Sequence, residues 1–309
     1  MFTLGEQPCC DDRLPLLQPN GVIIVTNSQA AVLVIGGTGR QGAAAVHYLR
    51  QRGLPVRVLL HDQGAPVARA LLQLGVTPVY SNLDDPAALR NALSHVETLL
   101  VFLDAFEAGP GVRLRRGKAI GEAAREAGVD HVVYSTATAA DHHLAACDQS
   151  PAIEDHWRGL GLTVTTLRPA TLMEEIPWFW LSRFGGRAEL AAPYPPDTHL
   201  SWVSTEDAGA LAALAAATPE RFRGRSLRVA GDVATPHEVA VLLAEVLGEP
   251  VSYAEVQVEG VFMDARAVER PADIGWLRGL HPPLHTLRTW LERGGGLESC
   301  RGARVDMAT

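Results

Sequence analysis

Short apolar runs alternate with longer amphipathic stretches along most of the chain. The runs are bounded by turn-forming residues, as in the segment 31–35, which precedes a cluster of glycines. Short buried strands separated by helical stretches are typical of βαβ units and a parallel sheet. The pattern therefore predicts an α/β fold with a doubly wound parallel sheet, whose first six strands are 31–35, 55–60, 77–80, 98–103, 131–135 and 162–167.

The most specific motif is a glycine-rich loop between the first predicted strand and the first predicted helix. It reads Val34-Ile35-Gly36-Gly37-Thr38-Gly39-Arg40-Gln41-Gly42. Glycines let the backbone approach a diphosphate, and the N–H groups at a helix N-terminus favour its negative charge. In this strand-to-helix context the motif predicts a Rossmann-like domain that binds a nicotinamide dinucleotide. The alternative is that the glycines only permit close packing of helix on strand.

The spacing of the elements changes after residue 169. A proline-rich stretch at 191–196 precedes a helix near 206–217, a strand near 226–229 and a helix near 236–247. We therefore expect an irregular N-terminal extension (1–30), a dinucleotide-binding domain (31–169), a smaller α/β lobe for a substrate or partner (170–293) and a flexible tail (294–309).

Composition narrows the class of protein. The 309 residues carry a formal net charge of −8, which argues against a broad basic face for nucleic acid. No apolar run approaches the roughly 20 residues that span a bilayer. The four cysteines show neither metal-ligand spacing nor a disulfide framework, and the first residues lack a signal-peptide pattern. We expect a cytoplasmic protein without a direct nucleic-acid or membrane partner.

Several segments together resemble the NmrA-like family of atypical short-chain dehydrogenases. Besides the glycine loop they are Val56-Arg57-Val58, Asn82-Leu83-Asp84-Asp85, Val132-Val133-Tyr134-Ser135, Leu167-Arg168-Pro169 and, more weakly, Val203-Ser204-Thr205-Glu206-Asp207. The resemblance covers roughly residues 31 to 293. It implies a six- or seven-stranded nucleotide-binding sheet and a small lobe that closes a substrate cleft. Some members are NADPH-dependent reductases of quinones, dyes and phenylpropanoids, and others bind the cofactor and regulate a partner.

A dinucleotide is expected along the carboxyl ends of the strands, where NADP(H) and NAD(H) differ at the adenosine ribose. The arginine that commonly binds the 2′-phosphate is replaced by His61, and Asp62 lies where an acidic side chain accepts a hydrogen bond from a free 2′-hydroxyl. A turn residue is an equally good explanation of Asp62. Arg40 is an alternative 2′-phosphate ligand and inclines the prediction slightly towards NADP(H). The predicted cofactor residues are Gly36, Gly37, Thr38, Gly39, Arg40, Gln41, Gly42, His61, Asp62, Asn82, Leu83, Phe102, Leu103, Ser135 and Pro169.

The catalytic pair of conventional short-chain dehydrogenases, Tyr-x-x-x-Lys, is absent. In that pair the lysine lowers the pKa of the tyrosine so that it can exchange a proton near neutral pH. Tyr134 has no lysine four residues later, and Lys118, the one lysine of the chain, is predicted to face solvent. Tyr134 and His143 are the candidate proton donors, with a solvated loop histidine as the alternative for His143. His143 and Cys147 have no further ligands, so no metal site is predicted.

Two functions follow. Met173, Trp178, Phe179 and Trp180 are candidates to wall a pocket for a small aromatic or quinone-like substrate, although a role in the core or in partner contact fits them equally well. This cluster favours an atypical oxidoreductase. The missing lysine favours a catalytically weak or inactive NAD(P)(H) sensor that regulates a protein partner by binding it differently in two states.

Overall fold

A computed structural model describes residues 31–62, 66–103, 111–136, 149–184, 186–256 and 272–297. The first part of the chain alternates strands and helices as the sequence predicts. Its elements are β1 (Ala31–Ile35), α1 (Arg40–Gln51), β2 (Val56–Leu60), α2 (Pro66–Gln73), β3 (Thr77–Tyr80), α3 (Pro86–Ala92), β4 (Val96–Phe102), α4 (Val112–Ala127), β5 (His131–Ser135), α5 (Gln149–Gly159) and β6 (Val164–Pro169).

The second part contains shorter strands and one π-helix, Ile176–Trp180. The other elements are β7 (Thr171–Leu172), β8 (Leu181–Phe184), β9 (Arg187–Ala192), β10 (Leu200–Val203), α6 (Thr205–Ala217), α7 (Pro219–Phe222), β11 (Ser226–Val229), β12 (Asp232–Ala234), α8 (Pro236–Leu247), β13 (Val251–Glu255), α9 (Ile274–Leu280) and α10 (Leu287–Glu292). None of the helices within the described residues has the length and apolar character needed to cross a membrane.

Seven parallel strands form the central sheet in the order β11-β6-β5-β4-β1-β2-β3. Successive residues of a strand face opposite sides of the sheet, so each strand contributes to two cores. Val32 and Val34 of β1 pack on the face that also carries α1 and α6, whereas Leu33 and Ile35 pack on the face that carries α4 and α5. The predicted Rossmann-like fold with a doubly wound parallel sheet is confirmed.

Helix α6 packs directly against α1, the helix that follows the glycine loop. Most of its alanine-rich surface is buried, and Gly209 lies at the closest approach. A Cβ atom at Gly209 would lie only 2.4 Å from the carbonyl oxygen of Gln41, so a larger residue would push the two helices apart. Helix α6 and strand β11, which follow Pro169 in the chain, both belong to the layers of the central sheet.

The smaller lobe has two three-stranded sheets, β12-β10-β7 and β13-β9-β8, around a core of its own. Trp202 and Trp180 meet edge to face in this core, with ring centroids 5.3 Å apart. Leu297, 1% exposed, also packs into this core. Leu297 follows three glycines that are typical of a loop, but it is buried because an apolar side chain is driven out of water where a core has room for it.

A buried polar cluster joins α6 to the C-terminal segment. Asp207 is fully buried, with its Oδ1 2.9 Å from Nε2 of His281 and its Oδ2 2.9 Å from Nδ1 of His285 and 2.7 Å from Oγ of Ser204. Burial alone would raise the pKa of Asp207, but the hydrogen bonds from His281 and His285 outweigh it and hold this pKa well below its usual range. The helix that packs on α1 is thereby anchored to residues 281–285.

Candidate functional site

The glycine loop at 36–42 is shaped by three glycines that have no room for a side chain. Gly36 has a φ of +77°, and a Cβ atom there would lie 2.2 Å from the carbonyl oxygen of Phe102. A Cβ atom at Gly42 would lie 2.1 Å from the carbonyl oxygen of Gly36, and one at Gly37 would lie 2.8 Å from Val58. Packing alone therefore accounts for these three glycines.

Gly39 is different because internal packing does not require it. It is exposed, its φ of −71° suits any residue, and a Cβ atom there would have one neighbour, the carbonyl oxygen of Gly36, at 3.4 Å. The packing alternative thus leaves the central glycine of the motif unexplained, while close approach of a diphosphate explains it.

The N-terminus of α1 is open to an anion. Gly39 is its N-cap residue, no side chain caps it, and its first turn contains no acidic residue. Uncapped N–H groups and the positive end of the helix dipole together favour a negative charge at this position. Thr38 and Arg40, on either side of Gly39, are exposed at the same place.

Two predicted site residues from distant parts of the chain meet across the carboxyl edge of the sheet. The hydroxyl of Ser135, at the end of β5, donates a hydrogen bond to Oε1 of Gln41, at a distance of 3.0 Å. Phe102 and Leu103 lie at the end of β4, between β1 and β5, and Pro169 is buried at the end of β6. The loop and the ends of these strands therefore line one edge.

The predicted adenosine end lies on the other side of β1. His61 and Asp62 are exposed where β2 ends. Asn82 follows β3 and stabilises its own turn, since its Oδ1 accepts a hydrogen bond of 2.9 Å from the N–H of Asp84, while Leu83 packs against the core beneath α3 and α4. The sequence did not identify what holds this loop: Asp84 forms ion pairs with two arginines of α4, at 2.9 Å from Arg115 and 2.7 Å from Arg116.

Tyr134 lies on the opposite face of the sheet from α1. Its side chain is fully buried, its ring centroid is 4.8 Å from that of Trp157, and its hydroxyl is 3.4 Å from a guanidinium nitrogen of Arg113. Arg113 also donates a hydrogen bond of 2.7 Å to Ser150 at the start of α5. Burial raises the pKa of Tyr134. A phenol in this environment is poorly placed to exchange a proton with a ligand, which argues against the predicted catalytic role.

The other predicted proton donor and the single lysine lie away from the described part of the site or outside the described residues. His143 lies outside the described residues. Lys118 is exposed on α4, as expected. Within the described part of the chain no group of three or more His, Cys, Asp or Glu side chains is arranged to hold a metal ion.

A buried ion-pair network that was not predicted from the sequence lies beside Tyr134. Glu154 of α5 is 3% exposed, and its Oε1 accepts hydrogen bonds from Arg158 and, at 2.7 Å, from the hydroxyl of Thr166. Its Oε2 lies 3.1 Å from a guanidinium nitrogen of Arg168. The Leu167-Arg168-Pro169 segment therefore has a structural role, because its arginine neutralises a buried acid.

The four candidate pocket residues in the segment 173–180 divide into two groups. Met173 and Trp180 belong to the core of the smaller lobe, at 0% and 6% exposure. Trp178 and Phe179 face outward, at 40% and 76% exposure, with their rings edge to face. Only the second pair is available to an apolar ligand. π-Helices are rare and are frequent at functional sites, which makes this outward pair notable.

Two acidic residues precede the π-helix. Glu174 is hydrogen-bonded to the start of α6. Its Oε1 and Oε2 each lie 3.0 Å from the backbone nitrogen of Thr205, and the hydroxyl of Thr205 donates a further hydrogen bond of 2.9 Å to Oε1. Glu175 is half-buried, and burial raises its pKa to about 7. The charge of Glu174 adds to this shift. Glu175 therefore changes its protonation state near neutral pH.

Comparison with known proteins is consistent with this geometry. The chain is 29% identical over 237 residues to an NAD(P)H azoreductase from Xenophilus azovorans, covering 74% of this chain and 78% of the relative. Its fold matches that of NmrA, a negative transcriptional regulator, in complex with NADP, with a TM-score of 0.75 at 18% identity over 90% of this chain and 99% of that one. The triphenylmethane reductase of Citrobacter sp. complexed with NADP(H) matches with a TM-score of 0.71 at 18% identity, covering 85% of this chain and 99% of that one.

A family model also matches most of the chain. The model describes the NmrA-like family and aligns with residues 28–272, which include the glycine loop, the central sheet and most of the smaller lobe. This match extends over all of the segments that carried the resemblance in the sequence. The chain therefore belongs to the NmrA-like family.

Proposed function

We propose that this protein binds NADP(H) or NAD(H) across the carboxyl edge of the central sheet and transfers hydride from the reduced nicotinamide to a small aromatic or quinone-like acceptor. The observation that carries the proposal is the open N-terminus of α1 beside Gly39, a glycine that internal packing does not need. An NAD(P)H azoreductase and a triphenylmethane reductase among similar proteins support the reaction class.

The residues at this edge would have separate tasks. The backbone of residues 36–42 would hold the diphosphate, and His61, Asp62, Asn82 and Leu83 would lie along the adenosine half. Phe102, Leu103, Ser135 and Pro169 would line the nicotinamide half. The exposed rings of Trp178 and Phe179 offer an apolar surface to a planar acceptor. When bound, the cofactor supplies the hydride, and water at the open edge can supply the proton.

Titration of the purified protein with NADP⁺ and NAD⁺ by calorimetry tests cofactor binding. The expected result is saturable binding of at least one dinucleotide and its loss in Gly39→Val, whose side chain would occupy the diphosphate position. Consumption of NADPH and NADH is then followed with a panel of quinones, azo dyes and triphenylmethane dyes. Turnover that scales with protein concentration and is lost in Gly39→Val supports the enzyme.

A second candidate function is a nucleotide sensor that regulates a protein partner. The buried position of Tyr134 and the exposed position of Lys118 favour it, because neither side chain is placed to assist proton transfer. The similar fold of NmrA, a negative transcriptional regulator, supports the same function. Tight dinucleotide binding without turnover across the whole panel would favour the sensor over the reductase.

A further inference from the structure

Arg40 of the glycine loop contacts the smaller lobe. Its guanidinium carbon lies over the ring of Trp178, a residue of the π-helix that follows β6 and β7. Its charge also reaches Glu174 in the same segment: burial raises the pKa of Glu174, and Arg40 is among the groups that oppose this shift. The side chain of Arg40 is therefore directed towards the segment 174–178.

This direction leads away from the adenosine ribose. In the order of the sheet, β2 is the neighbour of β1 on one side, whereas β6 lies three strands away on the other side. Neighbouring strands are spaced about 4.8 Å apart. A 2′-phosphate on the adenosine ribose belongs at the end of β2, beside His61 and Asp62. A guanidinium that stacks on Trp178 is turned towards the opposite half of the dinucleotide.

The guanidinium nonetheless has capacity to bind an anion. Both carboxylate oxygens of Glu174 accept hydrogen bonds from Thr205. Stacking on Trp178 occupies the flat face of the guanidinium and leaves its N–H edge available. Arg40 is also the first residue of α1, the position at which a helix N-terminus receives a diphosphate. A diphosphate held at the N-terminus of α1 would lie beside that edge, and NAD(H) and NADP(H) share this group.

The geometry points to Arg40 as a ligand of the diphosphate bridge from its nicotinamide side, held in place by Trp178, so that Arg40 does not discriminate NADP(H) from NAD(H). Trp178 is a positioning residue in this arrangement and couples the smaller lobe to the cofactor loop. The choice between the two cofactors then falls to the residues at the end of β2. This inference rests on the proposed binding of a nicotinamide dinucleotide.

Affinities of the Arg40→Ala variant for four probes test the assignment. Loss of a hydrogen bond to a charged group weakens binding by about 10- to 100-fold. We expect this loss for NAD⁺, NADP⁺ and ADP-ribose, all of which contain the diphosphate bridge, with an unchanged NADP⁺/NAD⁺ ratio. Binding of 2′,5′-ADP, which has the 2′-phosphate but no diphosphate bridge, should be unchanged. Arg52→Ala, which removes an exposed cation from the other end of α1, is the matched control and should leave all four affinities unchanged.

A double-mutant cycle tests the role of Trp178. Trp178→Ala should weaken NAD⁺ and NADP⁺ alike, Trp178→Phe should retain most of the affinity, and Trp178→Ala should have no further effect in the Arg40→Ala background. Thermal unfolding of each variant shows whether the fold is retained. A Trp178→Ala effect of the same size with and without Arg40 would refute the positioning role.

The probes also separate this inference from the function on which it rests. Weaker binding of NADP⁺ and 2′,5′-ADP by Arg40→Ala, with unchanged binding of NAD⁺, would overturn the inference and return Arg40 to the 2′-phosphate. Unchanged binding of all four probes would overturn it as well. If the unaltered chain bound no dinucleotide, the proposed function itself would fail.

Discussion

The carboxyl edge of the central sheet is built in two different ways. At the β1–α1 junction, glycines leave the backbone and the helix N-terminus open. Where α5 packs against β5, which we call the β5–α5 junction, buried polar side chains bond to their neighbours: Arg113 to Tyr134 and Ser150, and Glu154 to Thr166 and Arg168. The first junction is suited to holding a ligand, and the second is suited to holding the fold together. Cofactor binding and acid–base chemistry can therefore be tested independently in this protein.

The largest effect is expected from the buried network at the β5–α5 junction. Glu154→Ala leaves Arg168 without its buried acid, and breaking a buried ion pair costs about 3–5 kcal/mol. Denaturant unfolding measures the loss. Glu126→Ala is the matched control, because its ion pair with Arg90 is exposed and worth at most about 1 kcal/mol. Similar losses in the two variants would show that the buried network contributes no more to the free energy of unfolding than an exposed ion pair.

Glu175, which immediately precedes the π-helix, provides a pH-dependent test of the smaller lobe. Burial raises this pKa from 4.5 to about 7, so the folded state favours the neutral acid. The resulting stability is fully present below pH 4.5 and is lost as the pH rises through 7. At about 1.4 kcal/mol per pKa unit the loss approaches about 3 kcal/mol by pH 8. Glu175→Gln should remove this decline in the free energy of unfolding, and an identical pH profile in both proteins would contradict the assignment.

The glycine loop allows stability and binding to be separated by two substitutions of the same size. Gly42→Ala places a Cβ atom 2.1 Å from the carbonyl oxygen of Gly36 and should destabilise the protein by about 1–3 kcal/mol. Gly39→Ala meets no comparable obstacle, so its stability should change by less than about 1 kcal/mol. Its affinity for NAD⁺ and NADP⁺ should still fall, because in the proposed complex the methyl group would face the diphosphate. Calorimetry and thermal unfolding of both variants decide whether Gly39 serves the ligand.

The sequence predicted the central sheet well because its buried strands are short, nearly continuous apolar runs bounded by turn residues. The bounds of β1, β3 and β5 agree with the prediction, and β11 and α8 also begin and end where expected. The burial of Glu154 in α5 was not predicted, because a glutamate looks like a surface residue until Arg168 is placed beside it. Contacts between residues distant in sequence leave no periodic signal. For the same reason the buried contacts of Asp207 with His281 and His285 were not predicted.

The site was predicted unevenly for a related reason. The glycine loop is local, and its geometry follows from the residues that compose it. Tyr134 and Ser135 were both assigned to the site, although successive residues of a strand face opposite sides of the sheet. This alternation shows from sequence that only one of them can face α1. The structure shows that this residue is Ser135, because its hydroxyl donates a hydrogen bond to Gln41 of α1.

The smallest effect is expected at Tyr134, and it bears most directly on the contrast between the two junctions. Tyr134→Phe keeps the buried ring and removes a hydroxyl that lies 3.4 Å from Arg113 and interacts with Ser150. Ser150 still accepts a hydrogen bond from Arg113 in this variant. The free energy of unfolding should therefore fall by at most about 1 kcal/mol. Dinucleotide affinity and any turnover of NADPH should be unchanged, including their dependence on pH, since a fully buried phenol with a raised pKa does not exchange protons with a ligand. A large loss of turnover in Tyr134→Phe with intact dinucleotide binding would mean that the β5–α5 junction opens during the reaction and that chemistry takes place there after all.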